Sequence, residues 1–155
     1  MPDGPRYDDD FYAWTQHQAE VLRTMPVSDD RFDREHVAEE IEDLGKSERD
    51  TVRSQIRCII EHFLKLAYVP AEDSRLDWIG TIIDARQRLS DKLAPTLRQD
   101  TEAILDKLYG DGWKRAAVGL RRHCEEDAAE HLAAASPWSF DDICREDSYP
   151  ARFER

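Results

Sequence analysis

The stretch His36 to Asp43 sets Glu39, Glu40, Glu42 and Asp43 beside an imidazole. On a helix, His36, Glu40, Asp43 and Ser47 share one stripe, with Glu39 and Glu42 next to it. Carboxylate oxygens in such density can hold a divalent cation and present it to a polyphosphate or a water nucleophile. The plainer expectation is a solvated helix face whose early acids favour the positive end of the helix dipole.

A second set lies just downstream. At about 100° per residue, Val37, Ile41, Leu44, Val52, Ile59 and Leu66 form one apolar stripe, and Glu48, Gln55 and His62 fall inside it. Burying an unpaired carboxylate or imidazole costs several kcal/mol, so each needs a partner, a metal or a wet cavity. The expected partner of Glu48 is Arg86 on a following helix. That of His62 is Gln18, Tyr68 or a backbone carbonyl. The set Glu48, Gln55, His62 and Arg86 is therefore either a structural polar network or a binding site inside the bundle.

Three known patterns bear on these residues. Di-iron bundles use Glu-x-x-His, whereas His36-Val-Ala-Glu39 runs in the reverse order and occurs once. Glu39-Glu40-Ile-Glu-Asp43 is similar to the magnesium motif of all-helical nucleotide pyrophosphohydrolases, whose second acidic helix would have to be Glu125-Glu126-Asp127. Arg57-Cys-Ile-Ile-Glu61-His62 resembles the Arg, four spacers, His element of HEPN ribonucleases, in which the pair acts on a phosphate and a 2′-hydroxyl. On a helix, however, Arg57 points away from His62. Cys58 and Cys124 read as small hydrophobes inside helices, and His123 and His131 need no special role. No phosphate loop, dinucleotide fingerprint or nucleophile elbow is present, and no cofactor is expected.

The elements that would position these residues are all helical. Asp8-Asp9-Asp10 caps a helix from Phe11 to Thr24, stopped by Pro26, with Phe11, Trp14, Gln18, Val21 and Leu22 inward. A polar turn over 28–33 leads into a proline-free run from Arg34 to Tyr68, which bends at Gly45 or forms a long spine, and ends at Pro70. Ser74 is expected to cap a third helix with Trp78, Ile79, Ile82, Ile83, Arg86 and Leu89 buried, ending near Pro95. A fourth starts at Thr96, with Gly110 and Gly112 as a candidate break, and resumes to 132–135. The tail from Ser136, with Trp138, Phe140, Tyr149 and Phe153 and one turn at 141–145, reads as a strap. This predicts an all-α up-and-down bundle of four main helices, with 1–6 as a disordered leader and 7–155 as one domain.

Composition narrows the partners. The chain has 155 residues, with 34 Asp plus Glu against 22 Lys plus Arg and a formal net charge of -12, which opposes binding to nucleic acid or anionic lipid. Arg86-Gln87-Arg88 and Arg121-Arg122-His123 are too short to be basic tracts. Three scattered cysteines make neither a disulfide framework nor a zinc comb and fit a reducing cytoplasm. No signal peptide or membrane span is apparent.

Taken together, Tyr7-Asp-Asp-Asp-Phe-Tyr-Ala-Trp14, Ala38-Glu-Glu-Ile-Glu-Asp-Leu-Gly-Lys-Ser-Glu48, His62-Phe-Leu-Lys65, Trp78 with Ile82 and Arg86, and Pro137-Trp138 resemble the bacterial domain-of-unknown-function family 29 over residues 7–150. The resemblance implies a helical bundle with a long central helix and no assigned activity. Its motif falls on Glu39, Glu40, Glu42, Asp43, Glu48, His62, Lys65, Trp78 and Arg86. The family's Cys-Pro-aromatic tail has Ser136 in place of the cysteine. The expected role is an interaction or accessory module binding another protein or a second copy. The alternatives are a metal-dependent hydrolase using Glu39 to Asp43 or a ribonuclease using Arg57 and His62, and the sequence leaves open whether the chain is an enzyme.

Overall fold

Asp10 and Asp33 begin the two helices that define the molecule. In the computed structural model, which describes residues 3–122 and 136–152, α1 spans Phe11–Thr24 and α2 spans Arg34–Tyr68. Each aspartate accepts a hydrogen bond from the backbone N–H three residues on, Ala13 and His36, satisfying donors that a helix start leaves open. Helix α2 runs through Gly45 without interruption for 35 residues, about 52 Å at 1.5 Å per residue.

A 3-10 turn over Glu72–Ser74 reverses the chain into α3, Arg75–Ser90. Ser74 precedes α3 but makes no side-chain cap, contrary to expectation. Helix α3 also stops at Ser90, short of Pro95. Helices α4, Pro95–Ala103, and α5, Leu105–Arg122, meet at Ile104. The break anticipated at Gly110 and Gly112 thus falls earlier, and both glycines sit inside α5. A Cβ at 112 would lie 2.8 Å from Ile60 Cγ2 and 3.3 Å from the Arg57 carbonyl oxygen, so this glycine lets α5 approach α2 closely. The predicted continuation to 132–135, with Cys124, His123, His131 and the Glu125 to Asp127 acids, lies outside the described residues, as does Phe153. Helix α6 is the short Phe140–Cys144, closed by a reciprocal cap between Ser139 and Asp142.

All the described elements are helical or irregular; the described α-helices number six because the expected fourth is divided at Ile104 into α4 and α5, and the expected C-terminal turn is α6. The core lies around the C-terminal two-thirds of α2. Val52, Ile56, Ile59, Ile60, Phe63, Leu64 and Leu66 pack there against Ile82 and Leu89 of α3, Leu97 of α4, Leu108 and Tyr109 of α5, and Phe140 and Ile143 of α6. Trp138 meets the Phe63 ring edge-to-face at 5.2 Å, so the strap is part of the core.

The N-terminal third of α2 is built differently. From residue 34 to 47, its hydrogen bonds, ion pairs and close contacts to other elements go to α1 and the connection following it. Its seam is made of Thr15, Ala19, Ala38 and Gly45, all buried and all small. This two-helix arm is joined to the bundle at its base, where the Thr96 N–H donates to Asp10 Oδ2 at 2.9 Å and Tyr12 packs against the core. The predicted inward stripe is corrected here, because Val37 and Leu44 are exposed and the seam runs through Ala38 and Gly45 instead. On α1 likewise, Val21 is exposed and Thr15 and Ala19 are buried.

Candidate functional site

Glu48, Gln55, His62 and Arg86 do not converge. Glu48 and His62 are both on α2, separated by about 21 Å along its axis. Glu48 Oε2 takes a hydrogen bond from Lys92 Nζ at 3.1 Å, not from Arg86, because Lys92 follows the end of α3 and reaches that level of α2. Gln55 is half-buried, and its Oε1 has no partner among the described residues. His62 Nδ1 lies 2.8 Å from the Cys58 carbonyl oxygen. A carbonyl only accepts, so Nδ1 carries the proton and Nε2 is the free acceptor. Burial holds the imidazole below its usual pKa, and it also pushes the adjacent Cys58 thiol up, so neither a histidinium nor a thiolate is favoured there.

Arg86 is buried, as expected for an inward residue, yet its partners are main-chain atoms. Nε donates to the Ile143 carbonyl at 2.9 Å, Nη1 to that of Glu146 at 3.2 Å, and Nη2 to those of Ser148 at 2.6 Å and Asp142 at 3.3 Å. Two of these carbonyls close α6, so the cation sits at the negative end of that helix. The guanidinium also lies 5.4 Å from the Phe63 ring centroid and 5.1 Å from that of Tyr149. Desolvation lowers its pKa, but an arginine remains charged. Arg86 pins the strap to the bundle.

The acidic set is exposed. His36 Nδ1 lies 2.6 Å from Asp33 Oδ2, and Asp43 pairs with Lys46 at 3.5 Å. Glu39 and Glu40 form no ion pair among the described residues. The Asp33 carboxylate holds His36 above its usual pKa. Among the described residues, no group of three or more His, Cys, Asp and Glu is placed to share a metal ion. Arg57 and His62 diverge by about 140° around α2. Arg57 Nε is buried without a partner among the described residues, and the Arg57 backbone faces Gly112 on α5. The Arg57 and His62 side chains therefore leave α2 in different directions.

What the structure does assemble is an apolar face on the arm. Glu35 and Glu42 lie on one side of the α2 seam, and Val37, Ile41 and Leu44 on the other. On α1, Gln16 and Arg23 lie on one side of Thr15 and Ala19, and Phe11, Trp14 and Val21 on the other. Arg23 Nη2 binds Glu42 Oε2 at 3.0 Å and Nε approaches Glu35 at 3.5 Å, while Gln16 Nε2 donates to the Glu42 carbonyl at 3.2 Å. These clasps place the two polar flanks on one face of the arm, so the two apolar flanks must share the opposite face. A concavity joining Phe11, Tyr12 and Glu48 at the arm's base agrees with that placement. Leu44 is 57% exposed and Val21, Met25 and Val37 between 36% and 39%. Sequence periodicity found Val21, Val37 and Leu44 but assigned them to the core.

No helix among the described residues is long and apolar enough to cross a membrane. No curated protein matches the chain. The fold is similar to a crystal structure of an alpha-helical protein of unknown function from Rhodospirillum rubrum, with 27% identity, a TM-score of 0.69, and coverage of 94% of this chain and 92% of that one. The family model described as domain of unknown function DUF29 matches residues 6–149, nearly the whole chain, and the protein therefore belongs to that family.

Proposed function

We propose that the protein is an interaction module and that the apolar face of the α1–α2 arm is its docking surface. The carrying observation is the exposure of Val21, Val37 and Leu44 on one face of a two-helix element whose other face is closed by Arg23 and Glu42. Tyr7 covers the Phe11 and Trp14 end of the apolar face, with ring centroids at 5.4 and 4.9 Å, and the stretch through Val21, Val37 and Leu44 stays open for whatever docks there. Scattered surface hydrophobics are ordinary, whereas several on the same side of one two-helix element make that side a candidate contact.

Site-specific photo-crosslinking tests this directly. A crosslinker replacing Leu44 should give a discrete protein adduct in cells. The same group at Leu76, 80% exposed at the start of α3 and apart from the arm, should not. Equal labelling at both positions, or none at Leu44, would remove the arm as a dedicated surface.

A further inference from the structure

The apolar face has a size and a charge that describe what fits it. The arm is about 20 Å long and two helices wide, and with Tyr7 packed on Phe11 and Trp14 its open footprint is at most on the order of 400 Å². A stable symmetric dimer needs about 800 Å² from each partner. One amphipathic helix, laid in the shallow groove between α1 and α2 with anchors one turn apart, needs no more than this face offers.

The electrostatics distinguish the occupant further. Acids outnumber bases on the arm, and each base already holds a partner. Arg23 clasps Glu42, Arg31 binds Asp29, Arg34 donates to the Met25 carbonyl, and Lys46 lies between Glu42 and Asp43. At the arm's base Lys92 holds Glu48. Glu40, beside Leu44 on the rim of the apolar face, has no ion pair among the described residues, and neither does Asp8 beside Phe11. The whole chain carries a net charge of -12, which repels a second copy and attracts a cationic partner.

Building on the docking surface proposed above, we infer that the arm receives a basic amphipathic helix of another protein. That helix has an apolar stripe, seated on Leu44, Ile41 and Val37, flanked by Lys or Arg facing Glu40 and Asp8. Apolar contact supplies the affinity and the acidic rim selects the sign of the flanking charge.

The probe is a fluorescein-labelled synthetic helical peptide of about 14 residues, the length of the arm at 1.5 Å per residue, with a Leu/Ile stripe and Lys flanks. A second peptide has the same stripe with Glu flanks. Anisotropy titration of the intact chain should show the Lys peptide binding about tenfold or more tighter than the Glu peptide, with a difference that shrinks as salt is added. Leu44→Glu, whose side chain is exposed and whose melting point should hold, should abolish binding of the Lys peptide. Glu40→Lys should narrow the gap between the peptides. Equal binding of the two peptides, lost in Leu44→Glu, would overturn the basic partner while leaving the arm as a docking surface. Failure of both peptides, together with a dimer in light scattering that Leu44→Glu dissolves, would assign the face to a second copy and overturn the inference. Failure of both with a monomeric chain and no adduct at position 44 would overturn the docking surface as well.

Discussion

The two ends of α2 hold their neighbours by different means. Toward the C-terminus the helix buries Ile, Phe and Leu against four other helices and is finished by a strap nailed through Arg86. Toward the N-terminus it buries Ala38 and Gly45 against Thr15 and Ala19, and relies on Arg23 and Gln16 to close one edge. Fully burying a large aliphatic side chain is worth about 1.5–3 kcal/mol, so most hydrophobic stabilisation lies in the bundle. The small seam lets the arm helices approach closely but contributes little apolar area. One continuous helix therefore joins a stable body to a weakly held arm, a suitable arrangement for an element whose second face is completed by a partner.

The strongest way to break that comparison is at Arg86. Arg86→Met fills similar space but leaves several strap carbonyls without their donor, at about 1–3 kcal/mol for each that stays dry. The thermal midpoint should fall by roughly 10 °C, and Arg86→Lys should recover only part of it, since an ammonium cannot reach four carbonyls in a fixed fork. A midpoint unchanged in Arg86→Met would mean that the strap is not part of the stable body.

Leucine truncations at the two ends give the next contrast. Leu64→Ala, fully buried, should cost about 2–5 kcal/mol in chemical denaturation, whereas Leu44→Ala should stay within about 0.5 kcal/mol. Comparable losses at both sites would show that the arm's apolar face is already covered in the free protein.

Glycines sharpen the distinction at finer scale. A Cβ at 45 would collide with Thr15 Oγ1 and lie 2.7 Å from Gln16 Nε2, so Gly45→Ala should push the arm helices apart at a cost of about 1–3 kcal/mol. It should raise amide exchange in α1 more than in α3. Gly110, two residues from the tight Gly112, has no atom within 4 Å of its would-be Cβ. Gly110→Ala should therefore stabilise the chain by about 0.5–1 kcal/mol. If Gly45→Ala left α1 exchange unchanged, the close seam would not be what holds the arm.

The ends of α1 and α2 were legible because aspartate caps and prolines mark them in the chain itself. The orientation of α2 was not. A hydrophobic pattern weights Val37 and Leu44 heavily and Ala38 and Gly45 hardly at all, so it points to the apolar flank and overlooks a seam of small residues. The break at Ile104 carries neither Gly nor Pro, and Gly112, read as a breaker, is instead a point of close helix approach. Arg86 was legible as inward, but its partners were not, because any residue offers a carbonyl and no side-chain pattern records which one is near. The family resemblance was carried by side chains that the fold spreads along the molecule, so the fold followed from it and a shared site did not.

The smallest expected effect is a pH dependence that separates the two ends through their histidines. His62, on the bundle half, has a folded pKa below that of the unfolded chain, near 6.5. As pH falls through that value the unfolded state takes up a proton that the folded state resists, and stability is lost. His36, at the start of the arm, is raised by Asp33, so its contribution has the opposite sign, present at low pH and lost as pH rises through its folded value. Wild-type melts between about pH 7.5 and 5.5 contain both slopes. His62→Gln should remove the loss on acidification and His36→Gln should steepen it. If His62→Gln left the acid slope untouched, the imidazole would be taking up its proton in the folded state as readily as in the unfolded one, and burial would not be what resists its charge.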